Sequence, residues 1–227
     1  MGRRSLRKVD PSLDLTNQLK TFEQLPRPWD ASLLFSAPAP LEVEVGSGKG
    51  LFLRNAAAAR PQTNFLGIEV AAKYARFAAA MLVKRNLRNA VVVQADALRI
   101  FAELLPHASL QAVHVYFPDP WWKKRHKKRR VMRESFLRDI DLTLLPGGML
   151  HFWTDVEEYF HATLELIAAC TDLRGPLEAT ETPAEHDMDY RTHFERRMRQ
   201  LNEPVYRAEF RKILSLSQKS PLPPGEG

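Results

Sequence analysis

Short apolar runs rich in β-branched residues alternate along this chain with longer segments whose apolar positions recur at helical spacing. Leu41-Glu42-Val43-Glu44-Val45 alternates as a strand and enters a tight turn, Gly46-Ser47-Gly48-Lys49-Gly50. The Ala-rich stretch from Leu51 to Arg60 reads as a helix closed by Pro61. Phe65 to Val70 is a second strand, Ala71 to Arg88 a helix, and Ala90 to Asp96 a third strand. A short helix over roughly 98–105 precedes a fourth apolar run, Val113 to Phe117, which Pro118 and Pro120 stop abruptly. An amphipathic helix over about 131–145 ends at Pro146-Gly147-Gly148; Met149 to Thr154 is then a fifth strand and Glu157 to Cys170 another helix. Strands and helices in this alternation predict βαβ units, right-handed crossovers and a parallel sheet.

The last part changes character. Residues 173–189 are acidic and loop-like, Tyr190 to Leu201 reads as a helix, and Val205 to Leu214 alternates as an exposed edge strand. The pattern holds no internal repeat and gives one domain over residues 31–214. Residues 1–30 are polar, with Arg3, Arg4, Arg7 and Lys8 in front and Pro11, Pro26 and Pro28 behind. They are expected to form a flexible basic arm, either a solvated tail or one that orders on a phosphate backbone. Residues 215–227 are expected to be a disordered tail.

Composition narrows the class. At 44% hydrophobic and 26% charged over 227 residues, the chain is an ordinary globular sequence large enough for one α/β core. No apolar run approaches the ~18 residues that span a bilayer. The N-terminus lacks both the apolar stretch of a secretory signal and the Ser or Thr of a myristoylation pattern, where Leu6 stands. A cytoplasmic protein is expected. The single Cys170 excludes a disulfide framework and a Cys-rich zinc site, and the seven histidines show no HExxH spacing, so no metal is predicted. Monomer and homodimer are equally compatible with the sequence.

Charge is unevenly placed. Between Pro118 and Pro120 stands Asp119, then Trp121 and Trp122, then seven cations within residues 123–130. The chain has 33 Lys and Arg against 27 Asp and Glu; without those seven the balance is 26 against 27, so this run carries the positive excess. In open parallel sheets ligands gather beyond the carboxyl ends of the strands. A lone acid there, beside aromatics and cations, suggests a reacting group next to a polyanion-binding surface. The two indoles either offer a stacking face to a base or pack the loop against the domain.

The turn Gly46-x-Gly48-x-Gly50 opens a helix after a strand, yet Leu51 stands where a dinucleotide fingerprint needs its third glycine. Glu44 points a carboxylate at the same crevice, which would repel a pyrophosphate and attract an ammonium or sulfonium. Glu69, 23 residues beyond Gly46, stands where a residue gripping ribose hydroxyls is expected. Asp96 can accept from an adenine amino group. Four acids, Glu44, Glu69, Asp96 and Asp119, thus end or flank four successive strands, a crevice suited to S-adenosylmethionine, which is cationic and has no phosphate.

Glu-Val-Gly-Ser-Gly-Lys-Gly at 44–50, Gly-Ile-Glu at 67–69, Phe-Pro-Asp-Pro-Trp with its Lys-Arg-His-Lys-Lys-Arg-Arg run, Thr-Asp at 154–155 and Thr-x-Phe-Glu at 192–195 together resemble the tRNA (guanine-N7-)-methyltransferases, in the family's order over about residues 40–214. The resemblance implies an α/β, Rossmann-like methyltransferase fold. Its sheet would be mostly parallel and seven-stranded, with an antiparallel C-terminal strand and helices on both faces. It also implies S-adenosylmethionine as cofactor and a guanine in the tRNA variable loop, position 46, as substrate. Carried over by motif, Glu44, Gly46, Gly48, Glu69, Asp96 and Asp119 would contact the cofactor, and Asp119 would be catalytic. Lys123, Asp155, Thr192, His193, Phe194 and Glu195 would contact tRNA. Trp122 stands where members often have His or Pro, and Asn202-Glu203-Pro204 replaces a Gly-containing turn.

Bland roles compete at two of these places: Thr-x-x-Glu before a helix is a capping box, and Asp155 can be an N-cap. Two other functions fit the broad pattern, a nicotinamide-dependent oxidoreductase on the same fold and a non-catalytic RNA-binding protein. The incomplete glycine fingerprint and Glu44 argue against the first, and the full set of acids against the second.

Overall fold

The computed structural model describes residues 6–121, 129–177 and 190–213. Its centre is an eight-stranded sheet. The strands are β1 (Leu19–Thr21), β2 (Leu41–Val45), β3 (Asn64–Glu69), β4 (Ala90–Gln94), β5 (Leu110–Tyr116), β6 (Leu144–Thr154), β7 (Leu173–Leu177) and β8 (Tyr206–Lys212). They lie in the order β1-β4-β3-β2-β5-β6-β8-β7. Pairings from β1 through β6 are parallel, and β8 runs antiparallel to both β6 and β7. The helices are α1 (Leu51–Ala59), α2 (Ala72–Lys84), α3 (Ala97–Glu103), α4 (Glu134–Thr143), α5 (Glu157–Cys170) and α6 (His193–Gln200). Strand order reverses between β2 and β5, which places the ligand crevice of an open α/β sheet at their carboxyl ends.

Five expectations are corrected. The sheet has eight strands where seven were expected, because Leu19–Thr21 pairs with β4 and Leu15, Phe22 and Leu25 are buried; the stretch read as a loose arm therefore enters the fold ahead of residue 30. Residues 173–177 form a strand, not a loop. That strand covers the outer side of β8, which consequently lies inside the sheet and not at its edge. The amphipathic segment at 131–145 is helical only over Glu134–Thr143, since Leu144 already pairs with Leu110. The expected tail at 215–227 lies outside the described residues.

Period-two alternation gives the sheet two different faces. Val43, Val45, Leu66, Ile68, Val113, Val115, Leu150 and Phe152 face one core with Ile100 of α3, Phe136 and Ile140 of α4 and Ile167 of α5. The other face packs Phe52, Leu53 and Ala57 of α1 and Ala75, Ala78 and Leu82 of α2 against Phe65, Val92, Tyr116 and Trp153. Polar side chains run through this second face. Register places Gly67, Glu44, His114, His151 and Glu209 in one row across five strands.

His114 organises that row. Its Nε2 lies 2.8 Å from Glu42 and its Nδ1 2.9 Å from the Tyr116 hydroxyl, while its ring stacks on His151, whose Nδ1 is 3.0 Å from Glu209. Arg60 donates to both Glu42 oxygens. Burial holds His114 down at about 3 despite the Glu42 hydrogen bond, so the ring is neutral, donating from Nε2 to Glu42 and accepting from Tyr116 at Nδ1. Burial alone would raise Glu42, but the His114 and Arg60 hydrogen bonds keep it at about 2.

This chain of bonds predicts acid sensitivity. The folded ring refuses a proton down to about 3, whereas in the unfolded chain it protonates near 6.5. Stability is therefore lost as pH falls below 6.5, at up to about 1.4 kcal/mol per pH unit, and Glu42 adds to the loss only below 4.5. Replacing His114 by Gln, whose amide nitrogen can still donate to Glu42, is expected to flatten the profile between about pH 5 and 6.5. Urea midpoints measured across that range decide it; parallel profiles for both proteins refute the assignment.

Candidate active site

The crevice floor is the β2–α1 turn. Gly46, Gly48 and Gly50 all have left-handed backbones, with φ of 78°, 53° and 69°. The amides of Gly46 and Ser47 donate to Ile68 O, that of Gly48 to Glu69 Oε2 and that of Gly50 to Ser47 O. A phosphate-binding turn presents such amides to its ligand; here they are taken up within the fold. Glu69 accepts from Gly48 N and Ala71 N, both at 2.8 Å, and so staples this turn to the start of α2.

Glu44 is different. It is buried, and its Oε2 has no hydrogen-bond partner within the protein, as is also true of the neighbouring Ser47 Oγ. Burial, with Glu69 as a second negative charge, pushes its carboxyl well above the ordinary range; a Leu53 amide hydrogen bond only partly offsets this. An unpartnered buried carboxylate beside another is a site waiting for a cation or a donor. Asp96 stays at the rim, exposed, and one of its oxygens caps α3 by accepting from Leu98 N at 2.9 Å.

Asp119 stands on the far side of the crevice, beyond β5, and is exposed. Its loop is bent by two left-handed residues, Phe117 at φ 50° and Trp121 at φ 45°. Strained backbone of this kind persists where neighbours hold it. Phe117 N donates to Trp153 O at 2.8 Å, its ring packs on Phe194 with centroids 4.8 Å apart, and Arg130 Nε donates to Pro120 O at 2.7 Å. Trp121 is half-buried with Arg129 over its ring at 5.2 Å. Lys123, Trp122 and the cations to Lys128 lie outside the described residues. Arg130, read from sequence as one more surface cation, is turned inward: its side chain is 10% exposed and lies over Tyr159.

The third wall comes from β6 and α6. Asp155 is half-buried, and burial raises its carboxyl; it is not the N-cap of α5, which is Val156. Thr192 does cap α6, accepting from Glu195 N at 2.9 Å. Glu195 reaches back to Arg191 N at 2.7 Å instead of to its cap residue, and its buried carboxylate lies 3.5 Å from Arg199 and from Arg207. Capping is thus present at Thr192, and Phe194 is 39% exposed. The structure brings Glu44 and Glu69 together, and joins the Asp119 loop to the Thr192–Glu195 segment through Phe117 and Phe194. The residues missed from sequence are His114, Tyr116, Arg191 and Trp153; the alternation of His114 and Tyr116 in β5 was the available signal.

A sheet that reverses order at β2 and β5, with one antiparallel strand near its far edge and a crevice of carboxylates in place of outward amides, defines a Rossmann-like methyltransferase. A family model described as a putative methyltransferase matches residues 38–208. The tRNA (guanine-N(7)-)-methyltransferase of Rhodopirellula baltica is 50% identical over 218 residues, covering 93% of this chain and 80% of that protein. That of Cupriavidus necator is 39% identical over 189 residues, 82% of this chain and 72% of its own length. This chain belongs to the tRNA (guanine-N(7)-)-methyltransferase family. Among solved structures, the aminoglycoside resistance methyltransferase NpmB1 shares the fold with a TM-score of 0.54 at 21% identity, covering 84% of this chain and 95% of its own. A 16S rRNA (adenine(1408)-N(1))-methyltransferase from Catenulisporales acidiphilia also has a TM-score of 0.54, at 16% identity over 82% and 90% of the two chains.

The turn's geometry ranks its glycines. A Cβ at Gly46 would meet nothing within 4 Å, so Gly46→Ala carries only the left-handed penalty, roughly 1–2 kcal/mol. A Cβ at Gly50 would lie 2.7 Å from Ala78 Cβ and 3.2 Å from its Cα, so Gly50→Ala adds overpacking of roughly 1–3 kcal/mol. Chemical denaturation of both variants checks the order, and equal losses would contradict it.

Proposed function

We propose that this protein methylates N7 of a guanine in the variable loop of tRNA, position 46, using S-adenosylmethionine in the crevice between β2 and β5. The observation that carries the reading is the buried Glu44 carboxyl, whose Oε2 has no hydrogen-bond partner within the protein and which faces a second acid, at the sheet's switch point. Glu44 and Glu69 suit a cationic, phosphate-free ligand, while a pyrophosphate would find repulsion and the amides of Gly46, Ser47, Gly48 and Gly50 already engaged. The nicotinamide-dependent reading therefore loses its physical basis. Glu44, Gly46, Gly48, Glu69 and Asp96 would hold the cofactor, with Asp119 closing its far side. S-adenosylmethionine supplies an electrophilic methyl group on sulfur. Among the described residues no cluster of His, Cys, Asp or Glu fit for a metal occurs and no helix is long and apolar enough to cross a membrane.

Guanine N7 carries an in-plane lone pair and needs no strong base. The protein's work is placement, which can supply up to roughly 7–11 kcal/mol. Asp119 accepts from the guanine N1–H and amino group, fixing the base and stabilising positive charge as it arrives on the ring. Only the part of that stabilisation that grows toward the transition state speeds the step. The base must leave its stack, at a cost of a few kcal/mol, and Trp121 offers it a face. Lys123 and the following cations meet phosphates, Asp155 and Thr192 to Glu195 the nucleoside side.

Mass analysis of tRNA nucleosides after incubation with protein and S-adenosylmethionine tests the reading: 7-methylguanosine should form. Asp119→Asn should lower turnover about 100-fold; near-normal turnover with intact cofactor binding would remove Asp119 from the chemistry.

A second outcome follows from Glu44. Its raised carboxyl holds a proton that a bound cation would expel, so cofactor affinity should rise with pH and binding should release a proton. Calorimetry in buffers of different ionisation enthalpy reads this directly. A heat independent of buffer, or unchanged by Glu44→Gln, would rule Glu44 out as the counter-ion.

A further inference from the structure

The segments that carry Asp119, Asp155 and Thr192–Glu195 belong to three different elements, and one residue ties them together. Arg191 immediately precedes Thr192, and its backbone N–H donates to Glu195 Oε2 at 2.7 Å. Its guanidinium donates to the Tyr116 hydroxyl at 3.0 Å, on the strand that leads three residues later to Asp119. The same guanidinium lies 4.8 Å over the Trp153 ring, two residues before Asp155. Tyr116 and Trp153 are register partners with ring centroids 5.0 Å apart, so the two contacts are made to one rigid pair.

The Tyr116 contact is also directional. Tyr116 gives its own proton to neutral His114 Nδ1 and so presents only oxygen lone pairs to Arg191. A planar fork that donates at its edge and stacks on its face fits this corner; an ammonium supplies the charge without the plane.

We propose that Arg191 is a positioning residue that locks the Thr192–Glu195 segment onto the strand ends bearing Asp119 and Asp155, so that all three meet one guanine in register. This rests on the function proposed above. The contacts that define this role for Arg191 are all within the protein, to Glu195, Tyr116 and Trp153. Arg191 fixes the distance between walls, and a misplacement near 1 Å at a reacting pair costs on the order of 100-fold in rate.

The test is steady-state methylation of tRNA by the wild type, Tyr116→Phe, Arg191→Lys, Arg191→Ala and the Tyr116→Phe/Arg191→Ala double variant, with cofactor affinity measured alongside. Tyr116→Phe removes one oxygen atom and keeps the ring, so it reports even if Arg191→Ala does not fold. Expected are losses in kcat with tRNA of about 10- to 100-fold for Tyr116→Phe and Arg191→Ala, partial recovery in Arg191→Lys, and cofactor affinity within about twofold of wild type. The double variant should be no slower than Arg191→Ala, as expected when two changes break one interaction. Wild-type turnover in Tyr116→Phe, multiplicative losses in the double variant, or cofactor affinity falling in step with rate would each overturn the assignment. A wild type that leaves tRNA unmodified would instead refute the parent function, an outcome recognised before any variant is read.

Discussion

Hydrogen bonds through the buried face of the sheet can close in one direction only, and His114 sets that direction. With the proton on Nε2, Glu42 receives it, Nδ1 is left as acceptor for Tyr116, and the Tyr116 oxygen is left for Arg191. Protonation of the ring would make both nitrogens donors and leave the Tyr116 hydrogen without an acceptor. An unmet buried donor costs about 1–3 kcal/mol, on top of burying a second cation near Arg191. The neutral ring is thus a condition for the arrangement above it, from β2 through to the N-terminus of α6.

The same face holds two glutamates, two residues apart on one strand, with opposite fates. Glu42 has a guanidinium and an imidazole N–H and stays ionised deep in the protein, held at about 2. Glu44 has Glu69 for company and an oxygen with nothing to accept from, and its carboxyl is raised. Identical side chains on the same face of one strand become an ionised anchor in one case and a raised carboxyl with one oxygen left open in the other. Environment makes the difference, as it does wherever paired carboxylates divide roles.

Much of this was legible before any coordinates. Period-two alternation in Leu41–Val45 put Glu42 and Glu44 on one face, the glycine spacing gave the turn, and Pro118 and Pro120 marked where β5 ends. What escaped was set by partners far away in sequence. Leu173-Arg174-Gly175-Pro176-Leu177 has the composition of a loop and becomes a strand because β8 offers it a ladder. Leu19–Thr21 is too short to show periodicity and exists as a strand by pairing with β4. His114 reads as one polar interruption in an apolar run until register sets it beside His151 and Glu44.

The cationic run shows most sharply why charge alone does not assign a role. Arg129 and Arg130 are adjacent and chemically equal, yet Arg129 is exposed above Trp121 while Arg130 turns inward to the Pro120 carbonyl and the Tyr159 ring. Arg130 thereby ties the end of the run back to Pro120. Asp119 sits directly before that point and is exposed. Its position is defined by its neighbours: Phe117 N on Trp153 O, Phe117 against Phe194, and Pro120 O on Arg130. The backbone on both sides of this exposed carboxylate is thus fixed by packing and hydrogen bonds, the preorganisation that positioning requires.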